Sequence, residues 1–336
     1  MRFLPVATSA FFIVAACIPA AAAQTQYPLT LENCGAELTI AAPPQRAVGI
    51  GQNSSEIMLL LGLADRMVGT AVWVSPVLDD LAADNARVPR LADNQPSFES
   101  VVGTNPDFVA AQFLSAIGPE GRVGTREQFD DLGVPTYTSP TDCDTTDNAS
   151  ADGARANLWT PALLYREIEE LAAIFDVSDR GAELVADFQD REQALRQKFA
   201  GKSEAISVLF WFSSAEVAGD AWVAGRNGAA GYILDVLGAR NVIDTDAEWP
   251  LVSWEAIATA DPAVIVLGTM DRRTQAADDP AVKRDFLAKD PVASELTAVK
   301  ARHLIEIDAQ AMNPTLRTIS GMEQVAAALE TFGLLD

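Results

Sequence analysis

Two stretches of this chain repeat one another, and between them lies a segment that reads as a single stiff rod. Ser97-Phe98-Glu99-Ser100-Val101, followed by Pro106 and Val109, returns as Ser253-Trp254-Glu255-Ala256-Ile257, followed by Pro262 and Ile265, at identical spacing. Upstream of each, Gly62-Leu63-Ala64-Asp65 is echoed by Gly238-Ala239-Arg240-Asn241. One short match carries little weight, but an ordered set implies two units of like topology. The intervening segment Ser178–Phe199 has no Pro, and its one Gly, Gly181, falls in the first turn. Leu184, Phe188, Leu195 and Phe199 recur at spacings of four and seven and so share one helical face. Asp187 with Arg191, and Glu192 with Arg196, sit at i,i+4 and support the exposed side. At 1.5 Å per residue the helix is roughly 30 Å long, enough to span from one unit to the other. Ser178 reads as its N-cap and Gly201 as its stop signal. Periodicity alone favours an ordinary surface helix of one domain; the flanking repeat reverses that and favours a strut.

On either side of the rod, short apolar runs alternate with helical patterns. Strands are expected at residues 46–51, 67–72, 88–91, 107–111 and 136–138 in the first half, and at 206–211, 264–267 and 304–307 in the second. Helices are expected after most of them, including one opened by Gln52 and Asn53, and one running from Thr160-Pro161 to Phe175. Such alternation implies parallel sheets wound by crossovers, whose ligands sit outside the carboxyl ends of the strands. The residues just past those ends become candidate contacts: Gln52, Asn53, Trp73, Asn94 and Phe113 from the first half, and Trp211, Phe212, Arg226, Asn227, Met270 and Arg317 from the second. For each, a loop or packing role is the alternative, and for either Arg a structural salt bridge.

Residues 1–23 carry one early positive charge, Arg2, then an apolar run, then Ala21-Ala22-Ala23 before Gln24. This is the pattern of a secretory signal peptide, too short to span a membrane. Val14-Ala15-Ala16-Cys17 also fits a lipoprotein cleavage box that would leave Cys17 acylated, and both routes stay open. In an oxidising compartment Cys34 and Cys143 are expected to form a disulfide, with two buried free thiols as the alternative.

The net charge of −23 argues against nucleic acid and anionic membrane surfaces, which require clustered Lys and Arg. The single histidine, His303, is too little for a zinc or manganese site of several His ligands, and it leaves a Ser or Cys nucleophile without an evident base. No catalysis and no resident cofactor are expected. Gly49-Ile50-Gly51 lacks the third Gly of a dinucleotide fingerprint, and the Asp-rich residues 142–153 lack the Gly and Glu of an EF-hand loop.

Taken together, Asn53-Ser54-Ser55-Glu56, Gly62-Leu63-Ala64-Asp65, Pro96-Ser97-Phe98-Glu99 with Pro106-Asp107-Phe108-Val109, and Leu237-Gly238-Ala239-Arg240-Asn241-Val242 give the chain a family likeness. It resembles the class III periplasmic substrate-binding proteins of ABC importers for ferric siderophores, haem and cobalamin. The resemblance implies an α/β fold of two similar parallel-sheet lobes joined by one long rigid helix, with a ligand cleft between them. The lobes would be residues 24–177 and 200–336, with the helix at 178–199. It further implies a monomer that delivers a small-molecule ligand to an inner-membrane ABC permease, docking through one Glu on each lobe; Glu99 and Glu255 match those positions. An iron(III)-siderophore-type chelate is the expected ligand, held by Arg forks and Trp faces, with Arg226, Arg317, Trp73 and Trp211 leading. Cobalamin, haem or another organic anion on the same scaffold is the alternative, and a secreted α/β enzyme a further one.

Overall fold

The computed structural model describes residues 24–143, 155, 157–271 and 273–335. The expected signal segment, Cys17 and residues 144–153 of the acidic loop lie outside them.

Before the rod, the chain opens with an antiparallel hairpin, β1 (Leu29–Asn33) and β2 (Ala36–Ile40), which the reading of the sequence did not anticipate. It is followed by β3 (Ala47–Ile50), helix α1 (Gln52–Leu60), β4 (Met67–Ala71), β5 (Arg90–Ala92), α2 (Phe98–Val102), β6 (Phe108–Ala111), α3 (Arg126–Asp130), β7 (Thr136–Thr138) and α4 (Ala162–Ile174). The sheet runs β5-β4-β3-β6-β7 with every pair parallel. Every residue of β3, β6 and β7 is buried, as expected of strands covered on both faces. Asn33 ties the hairpin to this sheet: its Nδ2 donates to Thr138 O (2.8 Å), and its Oδ1 accepts from Thr138 N (2.8 Å). Cys34 and Cys143 are disulfide-bonded, with Cα atoms 5.1 Å apart.

The rod is α5, Ser178–Phe199, with the bounds its periodicity predicts. Val177, not Ser178, is the N-cap residue, and no side chain caps the helix there. Its N-terminal part packs on α4, where a Cβ on Gly181 would lie 2.5 Å from the Ala172 Cβ; glycine is what lets the two helices approach so closely. Its C-terminal part packs on α6 (Ala229–Leu237) and α9 (Arg317–Thr331), which belong to the second half. One apolar cluster therefore runs unbroken from Leu164, Ile168 and Leu171 through Val185, Phe188, Leu195 and Phe199 to Ile233, Met322 and Val325. Each such side chain contributes about 1.5–3 kcal/mol of burial, so the strut is fastened to both lobes. The predicted pairs form at 3.2 Å (Arg191–Asp187) and 2.8 Å (Arg196–Glu192). Both arginines also reach the second half, at Glu323 (2.8 Å) and Asp235 (3.1 Å).

The second half contains β8 (Ser207–Ser213), β9 (Ala221–Val223), α6, β10 (Arg240–Asn241), β11 (Leu251–Val252), α7 (Trp254–Ala260), β12 (Val264–Thr269), α8 (Pro280–Lys289), β13 (Leu304–Asp308) and α9. Here β8, β12, β13 and β10 are parallel, like β3, β6, β7 and β4. In contrast to the first sheet, β9 and β11 add an antiparallel edge, giving the order β11-β9-β8-β12-β13. The repeat holds in detail. Gly62 and Gly238 both end a helix at positive φ (+72° and +64°). In each, the next residue closes the turn onto the carbonyl five positions back, Leu63 N to Met58 O and Ala239 N to Leu234 O (both 3.0 Å), which is Schellman closure. Ser97 and Ser253 each cap a helix, accepting from Ser100 N (3.1 Å) and Ala256 N (3.3 Å).

Candidate functional site

The strand ends of both lobes face a shared cavity of about 670 Å³. Val72, Val74, Asn94, Gln95, Phe113, Ser115 and Arg122 wall it on the first lobe. On the second lobe the wall is Phe212, Ser213, Trp222, Glu248, Trp249, Met270, Gln275 and Asp278, with Gln310 and Asn313 from the turn after β13. Of the candidates read from the sequence, Asn94, Phe113, Phe212 and Met270 line this space, as strand-end placement requires.

The aromatic walls are not the tryptophans expected. Trp211 is 0% exposed and Trp73 3%, so neither offers the cavity a face. Successive residues of a strand point to opposite sides. Phe212 therefore turns to the cavity, with Ser213 reaching it only as the last residue of the strand, while Trp211 packs on the other side of the sheet against Trp254 (ring centroids 4.7 Å apart) and Phe286 (6.0 Å). Trp73 donates to Thr70 Oγ1 (3.2 Å) under the Arg90 guanidinium (4.7 Å from the ring centroid). The exposed aromatic faces are instead Trp222, on β9, and Trp249, just before β11, with Phe212 tilted against Trp249 at 4.7 Å. Both tryptophans ride on the antiparallel edge. Its only cue in the sequence was the Gly/Asn-rich break between Val223 and Ala229.

The expected arginine forks are likewise occupied elsewhere. Arg226 is exposed, pairs with Asp246 and is not among the cavity residues. Arg317 is buried in a polar cluster that joins the lobes: Nε donates to Glu56 Oε2 (3.0 Å), Nη2 to Glu56 Oε1 and to Pro76 O (2.6 Å), and Nη1 to Asp308. Gln52 and Asn53 belong to the same junction and not to the cavity wall. Gln52 Oε1 accepts from Val74 N (3.1 Å) and Ser75 N (3.0 Å), shaping the loop that bears Val74. Asn53 Oδ1 accepts from Leu316 N (2.8 Å) of the other lobe. A second inter-lobe link is Arg155, buried between Thr141 O (2.5 Å) and Glu248 (3.3 Å). Ser75 Oγ to Asp308 (2.7 Å), Asp271 N to Val74 O (3.2 Å), Trp159 N to Asn227 O (2.8 Å) and Asn227 Nδ2 to Arg155 O (2.9 Å) also cross between the lobes.

Two buried ionisable groups stand behind these walls. Glu167 accepts from Ser139 Oγ (2.5 Å), Ser54 Oγ (2.8 Å) and Asn53 Nδ2 (3.1 Å); burial pushes its carboxyl up to about 7 against the pull of these donors. Lys283, under the second wall, donates to Trp211 O (3.2 Å), Phe212 O (2.5 Å) and Gly268 O (2.6 Å), and burial pushes its ammonium down to about 7. Its three N–H groups find three carbonyls, which fixes the strand ends that carry Phe212. Glu99 and Glu255 lie far along the chain from these groups, each exposed in the first turn of its Ser-capped helix.

The model of the family described as "Periplasmic binding protein" matches residues 48–311, which include most of both lobes and all of the strut. The chain belongs to the periplasmic binding protein family. Its two lobes and single connecting helix are the architecture of the class III members that serve ABC importers. This binding protein is 23% identical over 309 residues to an uncharacterized ABC transporter substrate-binding lipoprotein, YvrC, of Bacillus subtilis, covering 90% of this chain and 86% of that one. It is 24% identical over 293 residues to a vitamin B12-binding protein of Vibrio campbellii, covering 86% of this chain and 90% of the other. Among solved structures it is similar to an ABC-type Fe3+-hydroxamate transport system protein from Saccharomonospora viridis. That similarity has 26% identity and a TM-score of 0.69, and covers 92% of this chain and 100% of that one.

Proposed function

We propose that this binding protein captures, outside the cytoplasmic membrane, a bulky metal chelate of ferric-siderophore or corrinoid size and hands it to an ABC permease. The observation that carries the reading is the inter-lobe cavity of about 670 Å³, walled by Phe113, Phe212, Trp222 and Trp249. Its size falls within the usual range for organic ligands, and aromatic faces cover the apolar flank of a chelate. Among the described residues lining it there is no His, Tyr or Cys; His303 instead stacks on Phe332 (ring centroids 4.6 Å apart). The Met270 thioether is the one soft ligand among the described wall residues, which suits a metal already saturated by its own chelator better than a haem iron seeking an axial ligand. Likeness to a vitamin B12-binding protein and to an Fe3+-hydroxamate transport protein supports the same size class.

The test is tryptophan fluorescence quenching across a ferric hydroxamate, a ferric catecholate, cyanocobalamin and haemin. At least one of the first three should quench saturably, and Trp222→Phe with Trp249→Phe should remove most of that signal. Saturable quenching that persists in the double variant would move the site elsewhere. For delivery, Glu99→Ala with Glu255→Ala should abolish uptake of the ligand while its affinity stays unchanged. Normal uptake by that variant would reject the docking role of the two carboxylates.

A further inference from the structure

The cavity wall on the second lobe stands where its sheet divides. The parallel register of β8 and β12 ends at Trp211 and Leu267. Beyond that pair β8 turns toward β9, with Ser213 opposite Trp222, while β12 stays with β13, Gly268 opposite Ile307. From the two diverging ends Phe212, Ser213 and, two residues past Gly268, Met270 line the cavity. Such a fork leaves strand-end carbonyls without a neighbouring strand, and buried carbonyls need partners. Lys283, 0% exposed on α8, fills it: Nζ donates to Trp211 O (3.2 Å) and Phe212 O (2.5 Å) on one branch and to Gly268 O (2.6 Å) on the other. Full burial is rare for lysine, so a purpose at this fork is to be expected.

Three acceptors match the three donors of the charged form only. A neutral amine has two N–H groups, and its lone pair would face a carbonyl oxygen. Burial opposes the charge and brings its loss down to about 7, while Asp278, on the turn before α8, and Glu306, on β13, draw it back up. Asp278 accepts from Ser213 Oγ (2.5 Å) and from the Thr274 and Gln275 amides (both 2.7 Å), and Glu306 pairs with Arg284. Glu295, in the turn packed on α8, pairs with Lys300 (2.6 Å), and the Trp211 ring lies 5.4 Å from the ammonium.

Resting on the capture reading, we infer that Lys283 is a positioning residue of the ligand site: its ammonium closes the fork between β8 and β12 and so sets where Phe212 and Met270 meet the cargo. With the proton lost, one carbonyl is left unmet, the strand ends part and the wall loses its fit. Apparent affinity then follows the charged fraction, full below the titration of Lys283 and falling above it.

The test is a ligand titration at pH 6, 7 and 8 by tryptophan quenching, using whichever of the ferric hydroxamate, the ferric catecholate and cyanocobalamin binds the unaltered protein at pH 6. Its Kd should rise about three- to tenfold from pH 6 to pH 8. Lys283→Met keeps the chain length without the charge; at pH 6 its Kd should be weaker by about threefold or more, and constant up to pH 8. Ionisation of the chelate or of Glu167 would keep its slope in that variant, so a persisting slope rejects the inference. A wild-type Kd that is constant from pH 6 to pH 8 also rejects it, while capture stands. Should Lys283→Met not fold, Glu306→Gln takes its place: loss of this exposed acid should carry the wild-type profile to lower pH, and an unshifted profile overturns the assignment. If none of the three chelates binds at pH 6, capture itself falls, and this inference with it.

Discussion

The sequence places Arg317 among the ligand contacts, and the structure makes it a bolt between lobes; a single substitution separates the two roles. Its side chain is 7% exposed and faces Glu56, 1% exposed, on the opposite lobe, with Asp308 (21%) as second partner. In Arg317→Leu the Glu56 carboxylate would keep only Gln52 Nε2 (3.3 Å) and Leu78 N (3.2 Å). Removing one member of a buried pair costs about 3–5 kcal/mol, because the other charge stays buried without compensation. Set against a total stability of about 5–15 kcal/mol, that is a large fraction. In urea a chain of this size loses about 3 kcal/mol per molar, the upper end of the range for small proteins, so the midpoint should fall by roughly 1–2 M. Glu56→Leu with Arg317→Leu removes both buried charges and should recover about 2 kcal/mol or more, since Asp308 keeps Ser75 and the Gln310 amide as donors. The assay is urea unfolding of wild type, both single variants and the double, with ligand titration of each. A stable Arg317→Leu that has lost affinity more than tenfold would refute the reasoning and restore Arg317 to the binding site.

Glu167 should leave a signature in the pH dependence of stability. Its folded carboxyl titrates near 7, above the ordinary value of 4.5, so between those values the folded chain holds a proton that the unfolded chain has released. The contribution is full below the unfolded value and is lost as pH rises through about 7, with a slope of up to about 1.4 kcal/mol per pH unit. Relative to Glu167→Gln, wild type should therefore lose stability between pH 5 and 7; parallel curves would show that Glu167 does not titrate there. The Cys34–Cys143 bond closes a sequence separation of 109, and breaking it with Cys34→Ser and Cys143→Ser should lower stability by up to about 4.7 kcal/mol in the chain-entropy view. Non-reducing mass spectrometry of the exported protein that found two free thiols would reject the bond.

What the sequence makes legible is whatever repeats or runs locally. The strut follows from its own period, with bounds that coincide with α5. The matched Ser-capped helices and Gly-ended helices follow from short motifs whose hydrogen bonds close within a few residues. Asn94 and Phe113 were legible as cavity residues because the strand-end rule needs only the strands. The candidates that do not line the cavity share one cause. Trp211 and Phe212 are neighbours, and only the parity of β8 against its sheet says which of them faces the cavity. Whether Arg226 or Arg317 is available to a ligand depends on acids 20 residues (Asp246) or 261 residues (Glu56) away along the chain.

The sequence by itself determined two like lobes, a rigid link and an aperture at their strand ends, because helix period, capping and apolar runs are properties of neighbouring residues. Tertiary structure alone decided which aromatics face that aperture and which arginines are already bound. Those outcomes rest on pairings between residues distant in sequence, where burial leaves each polar group to be met by what the fold happens to bring beside it.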